Sequence, residues 1–478
     1  MKKQSLSKNI IFQFLYQLLI FAIPFVVSPY LTRTLQATAL GTYTYVNSIA
    51  YYFVVLANLG ISVHGRRIIS VCSDDETLLR QKFWSLFSVH VIISLVAVVC
   101  YLLFIVFFVH DDSLVYWIQM IYVLSAMLDV TWFFYGMENF TSVVKRNTAI
   151  KILECLFIFS FVRGPEDVYV YTLICSGSLF LGQAVMIPQV IRTVRPVRIY
   201  KEDLMEHLKP LLVFSVSLIA TTLYTVFDKT LLGIMATKES VAFFEYSNKI
   251  VHIPLAFTSI VGSVMLPRVC KLVAQKKVLE LRRYLDYSFM IVAFIGVGSC
   301  FGLSAISHEF VLLYYGANFI ECSSIIVWLA PLVFIIGAGS VYRTQCMIPH
   351  HMDRSFNLCI LGNACINILL SISLIPYYGL YGAVWGTVGA EVFGLVVQAW
   401  LCNRYYDFRK LIKIVVPFLV NGYIMFAFLK FFVCYIDGFI ELIVLIVIAT
   451  IVYTVLMLLN MYFFRKDVFE YVYYAVKR

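Results

Sequence analysis

Glu245, Lys249 and His252 follow one another at i, i+4 and i+7 inside an apolar run, and Ser259 and Ser263 extend the row. That spacing puts all five on one face of a helix. In a low-dielectric setting, an ammonium beside a carboxylate either satisfies itself as an ion pair or serves as a binding group for a ligand. The residues alone leave both readings open. Ser217, Thr221, Thr225 and Asp228 make a second row, with Lys229 beside its end. Gln13, Gln17, Pro24 and Ser28 lead to Arg33 in a third, and Asn47, Tyr51 and Asn58 form a fourth. Each row by itself reads as hydrogen-bonding glue between helices, whereas a central hydrophilic cavity explains the four together. Arg33 and Lys229 fall near the ends of their runs, where snorkelling to an interface is the plain explanation.

Glu391 lies amid Gly382, Gly386, Ala390 and Gly394, a row of small residues at helical spacing that reads as close helix packing. A structural or gating role therefore suits this carboxyl better than ion coupling. Catalytic signals are poor. The eight histidines include no HExxH, and the adjacent His350 and His351 suit neither a helical nor a loop metal site. The absence of GxxxxGK and GxGxxG argues against ATP or a dinucleotide, so no cofactor is expected. The twelve cysteines are scattered without a CxxC pair and read as small apolar residues.

The elements that must carry these rows are membrane helices. The chain has 478 residues, 62% hydrophobic and 13% charged, about half the charged share of a soluble domain. Its apolar residues come in runs of about twenty, the length needed to cross a bilayer core. The expected spans are 10–31, 41–63, 83–109, 114–136, 147–163, 168–190, 210–233, 241–266, 287–307, 322–342, 356–376, 380–402, 412–433 and 438–463. The first run continues past Phe21 without a small-residue cleavage site and is expected to be retained. Connections alternate in charge: 31 of the 37 lysines and arginines fall on one side, which predicts both termini in the cytoplasm. The net charge of +10 is thus a topology signal, and no nucleic acid is expected as a partner.

The chain also repeats itself weakly. At an offset of 201, Tyr45 pairs with Tyr246, Asn47 with Asn248, Ile49 with Ile250, and Arg67 with Arg268. Six spans separate the copies, so the repeat is parallel. It predicts an all-α protein of about fourteen helices: an N-terminal six-helix lobe at 1–195, a C-terminal lobe at 196–409, and two further spans with a cytoplasmic tail at 410–478. Two lobes rocking about a central site are the architecture of a transporter.

Several stretches resemble a known family. Pro29-Tyr30-Leu31-Thr32-Arg33-Thr34-Leu35 followed by Gly41-Thr42-Tyr43 is similar to the PYLxRxLG…GxY opening of bacterial polysaccharide flippases of the Wzx type. Leu59-Gly60-Ile61 with His64-Gly65-Arg66-Arg67 resembles their LGI…G-R segment. Leu128-Asp129-Val130-Thr131-Trp132-Phe133-Phe134-Tyr135-Gly136-Met137-Glu138-Asn139-Phe140 is similar to LDxxWFFxGxExF and is the most specific match. Ile375-Pro376-Tyr377-Tyr378-Gly379-Leu380-Tyr381-Gly382-Ala383 resembles IPxYGxxGA, with Glu391 at the acidic position that follows. Gln36-Ala37 departs from a frequent glycine, which leaves the turn between the first two spans open.

The resemblance implies a MATE-like fold and a chain that moves undecaprenyl-diphosphate-linked oligosaccharide from the cytoplasmic to the outer leaflet of the bacterial inner membrane. It implies substrate contacts at Arg33, Lys249, Lys229, Asn47 and His252, and gating or ion coupling at Asp129, Glu138, Asp228, Glu245 and Glu391. A diphosphate needs Lys or Arg in low dielectric, and a sugar headgroup needs hydrogen-bonding walls. The implied partners are the lipid-linked oligosaccharide, the membrane lipids, and polymerase or chain-length proteins of the same pathway. A cation-coupled multidrug exporter of the same superfamily is the alternative. A polysaccharide polymerase or ligase would be expected to carry a long outer loop, and the outer connections here are short.

Overall fold

A computed structural model describes residues 22–464, apart from a few side chains between residues 216 and 224 and near the end. The chain divides into two compact units, Met1–Ala242 and Phe243–Arg478.

In the first unit, residues 22–34 form α1. They are followed by α2 (Gln36–Asn58), α3 (Ile61–Cys72), α4 (Glu76–Phe108), α5 (Ser113–Met127) and α6 (Thr131–Gly136). Next come α7 (Phe140–Phe161), α8 (Val168–Ala184), α9 (Ile187–Thr193) and α10 (Lys201–Met235), and the first turn of α11 (Lys238–Ala274) completes the unit. The open turn after α1 is made by Gln36 with φ +62°, a left-handed conformation where the resembling sequences place glycine. Leu59 and Gly60, both at positive φ, break α2 from α3, and a Cβ on Gly60 would meet the Cβ of Phe214 at 2.7 Å. Asp75 starts α4 by accepting hydrogen bonds from the amides of Thr77 and Leu78.

In the second unit, α11 continues to α12 (Val278–Tyr314), α13 (Glu321–Leu329) and α14 (Leu332–Val341), then a π-helical turn at Tyr342–Met347. The unit ends with α15 (Asp353–Tyr378), α16 (Leu380–Cys402), α17 (Phe408–Val433) and α18 (Phe439–Phe464). The two C-terminal helices join this core. Leu411, Ile414, Phe418, Met425 and Leu429 of α17 and Leu442, Leu445, Ala449 and Tyr453 of α18 are buried at helical spacing in one cluster with Leu285, Phe289 and Val292 of α12. The small-residue row brings α16 onto α15: a Cβ on Gly386 would meet Ser371 Oγ at 2.6 Å, and one on Gly394 would collide with Asn363.

Eleven of the described helical stretches are long and apolar enough to cross a membrane. The expected span 147–163 overlaps α7 up to Phe161, 210–233 lies within α10, and part of 10–31 lies outside the described residues. The architecture is consistent with the expected fourteen. Ile92, Val96, Val99 and Leu103 of α4 leave large apolar side chains exposed, a face that only lipid would cover favourably. The chain is a multi-pass membrane protein.

Candidate functional site

In the first unit the structure brings together α10 and α2, the helices that carry two of the polar rows. Thr230 of α10 places its hydroxyl 3.1 Å from Ser48 Oγ and 3.1 Å from the Tyr52 hydroxyl, both on α2. Asp228 is buried on α10, and Lys229 beside it is half-buried. Asn47 Oδ1 accepts a hydrogen bond from Gln119 Nε2 of α5 at 3.3 Å, so its amide is tied into the helix packing. Arg33 is exposed near the end of α1. The side chains of Ser217 and Thr221, and residues Gln13 and Gln17, lie outside the described residues.

In the second unit, Lys249 Nζ lies 3.8 Å from Glu245 Oε1 and 4.1 Å from the centre of the Tyr246 ring. The Tyr246 ring is itself fixed. It is buried against Tyr315 and Phe319, and the Tyr315 hydroxyl donates to the Tyr246 carbonyl at 3.0 Å. The ammonium therefore stands on a rigid aromatic face with a carboxylate one turn away. The Lys249 side chain is 37% exposed and that of Glu245 19%, so the pair is reachable. His252 is exposed farther along α11. Ser259 and Ser263, also exposed, donate to carbonyls of their own helix.

The WFFYG stretch is a capped connector. Asp129 Oδ1 accepts from the Thr131 amide at 2.9 Å and the Thr131 hydroxyl at 2.6 Å, closing the turn between α5 and α6. Glu138 occupies the left-handed position after α6, at φ +56°, and Asn139 caps α7 by accepting from the Ser142 amide. Trp132, Phe133 and Phe134 are fully buried against α3 and α4. Gly65 of α3 admits the Trp132 ring, since a Cβ there would meet Trp132 Cε3 at 2.5 Å. Gly136 does the same for Ile69. Glu391 is buried on α16.

Sequence reasoning missed a polar cluster beside this connector. His64 Nε2 of α3 and His207 Nδ1 of α10 are 3.2 Å apart, and His207 Nε2 is 2.8 Å from Ser85 Oγ of α4. Lys82 donates to Glu206 at 2.5 Å and Gln81 to Asp203 at 2.9 Å, so α10 is held to α4 by three consecutive polar contacts. The bond from Lys82 holds the Glu206 carboxyl below its usual range. Burial, and then the neighbouring His64, pull His207 down to about 4. Asp203, Glu206 and His207 recur at i, i+3 and i+4, the one signal in the sequence that could have flagged this face.

Among the described residues no group of three histidine, cysteine or acidic side chains is placed to hold a metal ion. What the arrangement offers is a cation on an aromatic platform and hydroxyl-bearing helix faces, which suit binding of an anionic, hydrogen-bonding ligand.

The family described as "Polysaccharide biosynthesis protein" matches residues 6–273. The chain is 24% identical over 396 residues to the "Putative O-antigen transporter" of Shigella dysenteriae, covering 81% of this chain and 97% of that protein. Among solved structures, it is similar to the lipid II flippase MurJ in its inward closed conformation. The TM-score is 0.71 at 14% identity, with 96% of this chain and 100% of the other covered. An inward-facing multidrug resistance MATE family transporter of the MOP superfamily is similar with a TM-score of 0.57 at 13% identity, covering 90% and 97%. These likenesses show the expected MATE-like fold.

Proposed function

We propose that this chain, which belongs to the polysaccharide biosynthesis protein family, flips undecaprenyl-diphosphate-linked oligosaccharide repeat units across the bacterial cytoplasmic membrane. It does so as a transporter working by alternating access, without enzymatic chemistry. The observation that carries the reading is Lys249, an ammonium held on the Tyr246 ring inside a membrane-spanning helix, 3.8 Å from its carboxylate partner. A diphosphate arriving there competes with Glu245 for the cation, exchanging one ion pair for another. An exchange of partners makes the empty and loaded states differ in energy, which a ligand-driven conformational change requires. The names of the similar proteins, an O-antigen transporter and a lipid II flippase, support the substrate class.

In this reading Arg33, Lys229, Lys249, Asn47 and His252 contact the headgroup. Asp228, Glu245 and Glu391 respond to it, and Asp129 and Glu138 gate through the connector they shape. Both termini lie in the cytoplasm.

The test is deletion of the gene. Surface polysaccharide should disappear while lipid-linked repeat units accumulate on the cytoplasmic face, with drug sensitivity unchanged. Persisting polysaccharide together with lost dye efflux would establish a multidrug exporter instead.

A further inference from the structure

Between the end of α16 and the start of α17 the second unit carries a groove of about 340 Å³, lined by Val396, Ala399, Trp400, Asn403, Asp407, Phe408 and Arg409. That volume falls within the about 300–1,000 Å³ of small-molecule sites. We propose that this groove binds an anionic phospholipid of the surrounding bilayer, with its phosphate on Arg409 and Lys413 and an acyl chain along α16.

Three observations carry the assignment. First, each of the two helices that meet at the groove changes from apolar to polar towards it. On α16, Val392, Val396 and Trp400 are exposed at i, i+4 and i+8, and Trp400 at the polar end is 74% exposed. On α17, Val420 and Val416 are exposed, then Lys413 and Arg409 one and two turns earlier on the same face. An apolar ridge ending in tryptophan and then cations is the profile of a bilayer interface.

Second, these two cations are not consumed by the protein. Lys410 is paired with Asp286 at 2.5 Å, and the Arg404 guanidinium lies 4.4 Å over the Tyr405 ring. Among the described residues, neither Arg409 nor Lys413 makes an ion pair.

Third, the one acidic group in the lining, Asp407, is outnumbered by the cations and also serves as a helix cap. Asp407 Oδ1 accepts the Arg409 amide at 2.9 Å as the cap of α17. Asn403 Oδ1 accepts the Phe408 amide at 3.2 Å, which leaves its NH2 as the donating end of that side chain. The polar end of the groove thus sets two cations and an amide donor against one carboxylate, and a lipid phosphate is the acceptor the bilayer supplies to such a balance.

The experiment measures lipid retained by the purified full-length protein, by native mass spectrometry after adding phosphatidylglycerol or phosphatidylethanolamine. The wild type should retain phosphatidylglycerol in preference. Arg409→Gln/Lys413→Gln should weaken that preference about tenfold or more, since each cation near a membrane surface contributes several-fold. Thermal unfolding in detergent confirms that the variant is folded. Trp400→Ala should reduce retention of both lipids, whereas Arg282→Gln/Arg283→Gln should leave the preference intact. A preference unchanged in the Arg409/Lys413 variant overturns the proposal, as does equal loss in the Arg282/Arg283 control. Displacement of the bound phospholipid by undecaprenyl phosphate would also overturn it, assigning the groove to the transported lipid. The readout involves no transport, so its outcome is independent of the flippase reading.

Discussion

His64 Nε2 lies 3.2 Å from His207 Nδ1, and the two rings belong to helices 143 residues apart. At this separation one ring donates and the other accepts, so a proton added to the acceptor breaks the contact. The cluster also contains Ser85, Lys82, Glu206 and Asp203, and it clamps the start of α10 to α3 and α4.

The pH dependence follows from His207, whose pKa in the folded protein is near 4 against an ordinary 6.5. The unfolded chain binds this proton more tightly, so the stabilisation is complete above about pH 6.5 and is lost as pH falls towards 4. Thermal unfolding in detergent should show the midpoint dropping over that window, and His207→Gln should flatten the profile. Identical profiles for the two proteins would refute the clamp as the acid-sensitive element.

Gly65 is required by the Trp132 ring, and Gly65→Ala should cost about 1–3 kcal/mol through overpacking. Gly177 of α8 is the internal control, because nothing lies within 4 Å of a Cβ added there. Gly177→Ala should be neutral or stabilise by up to about 1 kcal/mol. Unfolding midpoints of both variants, measured alongside the amount of protein recovered from membranes, decide the matter.

Gln36 holds φ +62° with an exposed side chain. A non-glycine residue in this conformation costs about 1–2 kcal/mol, partly offset in the variant by the larger backbone freedom of unfolded glycine. Gln36→Gly should therefore raise stability by at most about 1 kcal/mol, read as a higher unfolding midpoint. A lower midpoint would mean that the side chain, not the backbone, sets the turn.

The Lys249 site makes a graded prediction. Lys249→Ala should abolish surface polysaccharide at normal protein levels. Lys249→Arg should keep partial activity, because a guanidinium also stacks on the Tyr246 ring but at a different reach. Glu245→Gln should be much milder. Equal loss in Lys249→Ala and Glu245→Gln, with both proteins depleted on immunoblots, would reduce the pair to a structural ion pair.

Topology reporters at Lys276 and at the C-terminus should give cytoplasmic signals, and one at Lys238 an external signal. Lys238 is the first residue of α11, where its ammonium sits 3.6 Å over the Tyr45 ring. A cytoplasmic signal there would invalidate both the span count and the charge-based orientation.

The helical course of this protein was legible in its apolar runs. The expected span 380–402 coincides with α16, and each described helix of membrane length overlaps an expected run, because an apolar stretch of about twenty residues has a single low-energy conformation in a bilayer. The small-residue row from Gly382 to Gly394 was legible as a packing face, since absent side chains state directly that another backbone comes close. The Glu245–Lys249 pair was legible because i and i+4 lie on one face whatever surrounds them. Which helices meet became visible only in the packed chain: His207 on His64, Trp132 on Gly65, Asn47 on Gln119, Thr230 between Ser48 and Tyr52. In a chain where 62% of residues are hydrophobic, the pattern marks which face of a helix is different but not its partner. Partner choice depends on the complementary shape of two surfaces far apart in sequence, and that information exists only once the helices are packed.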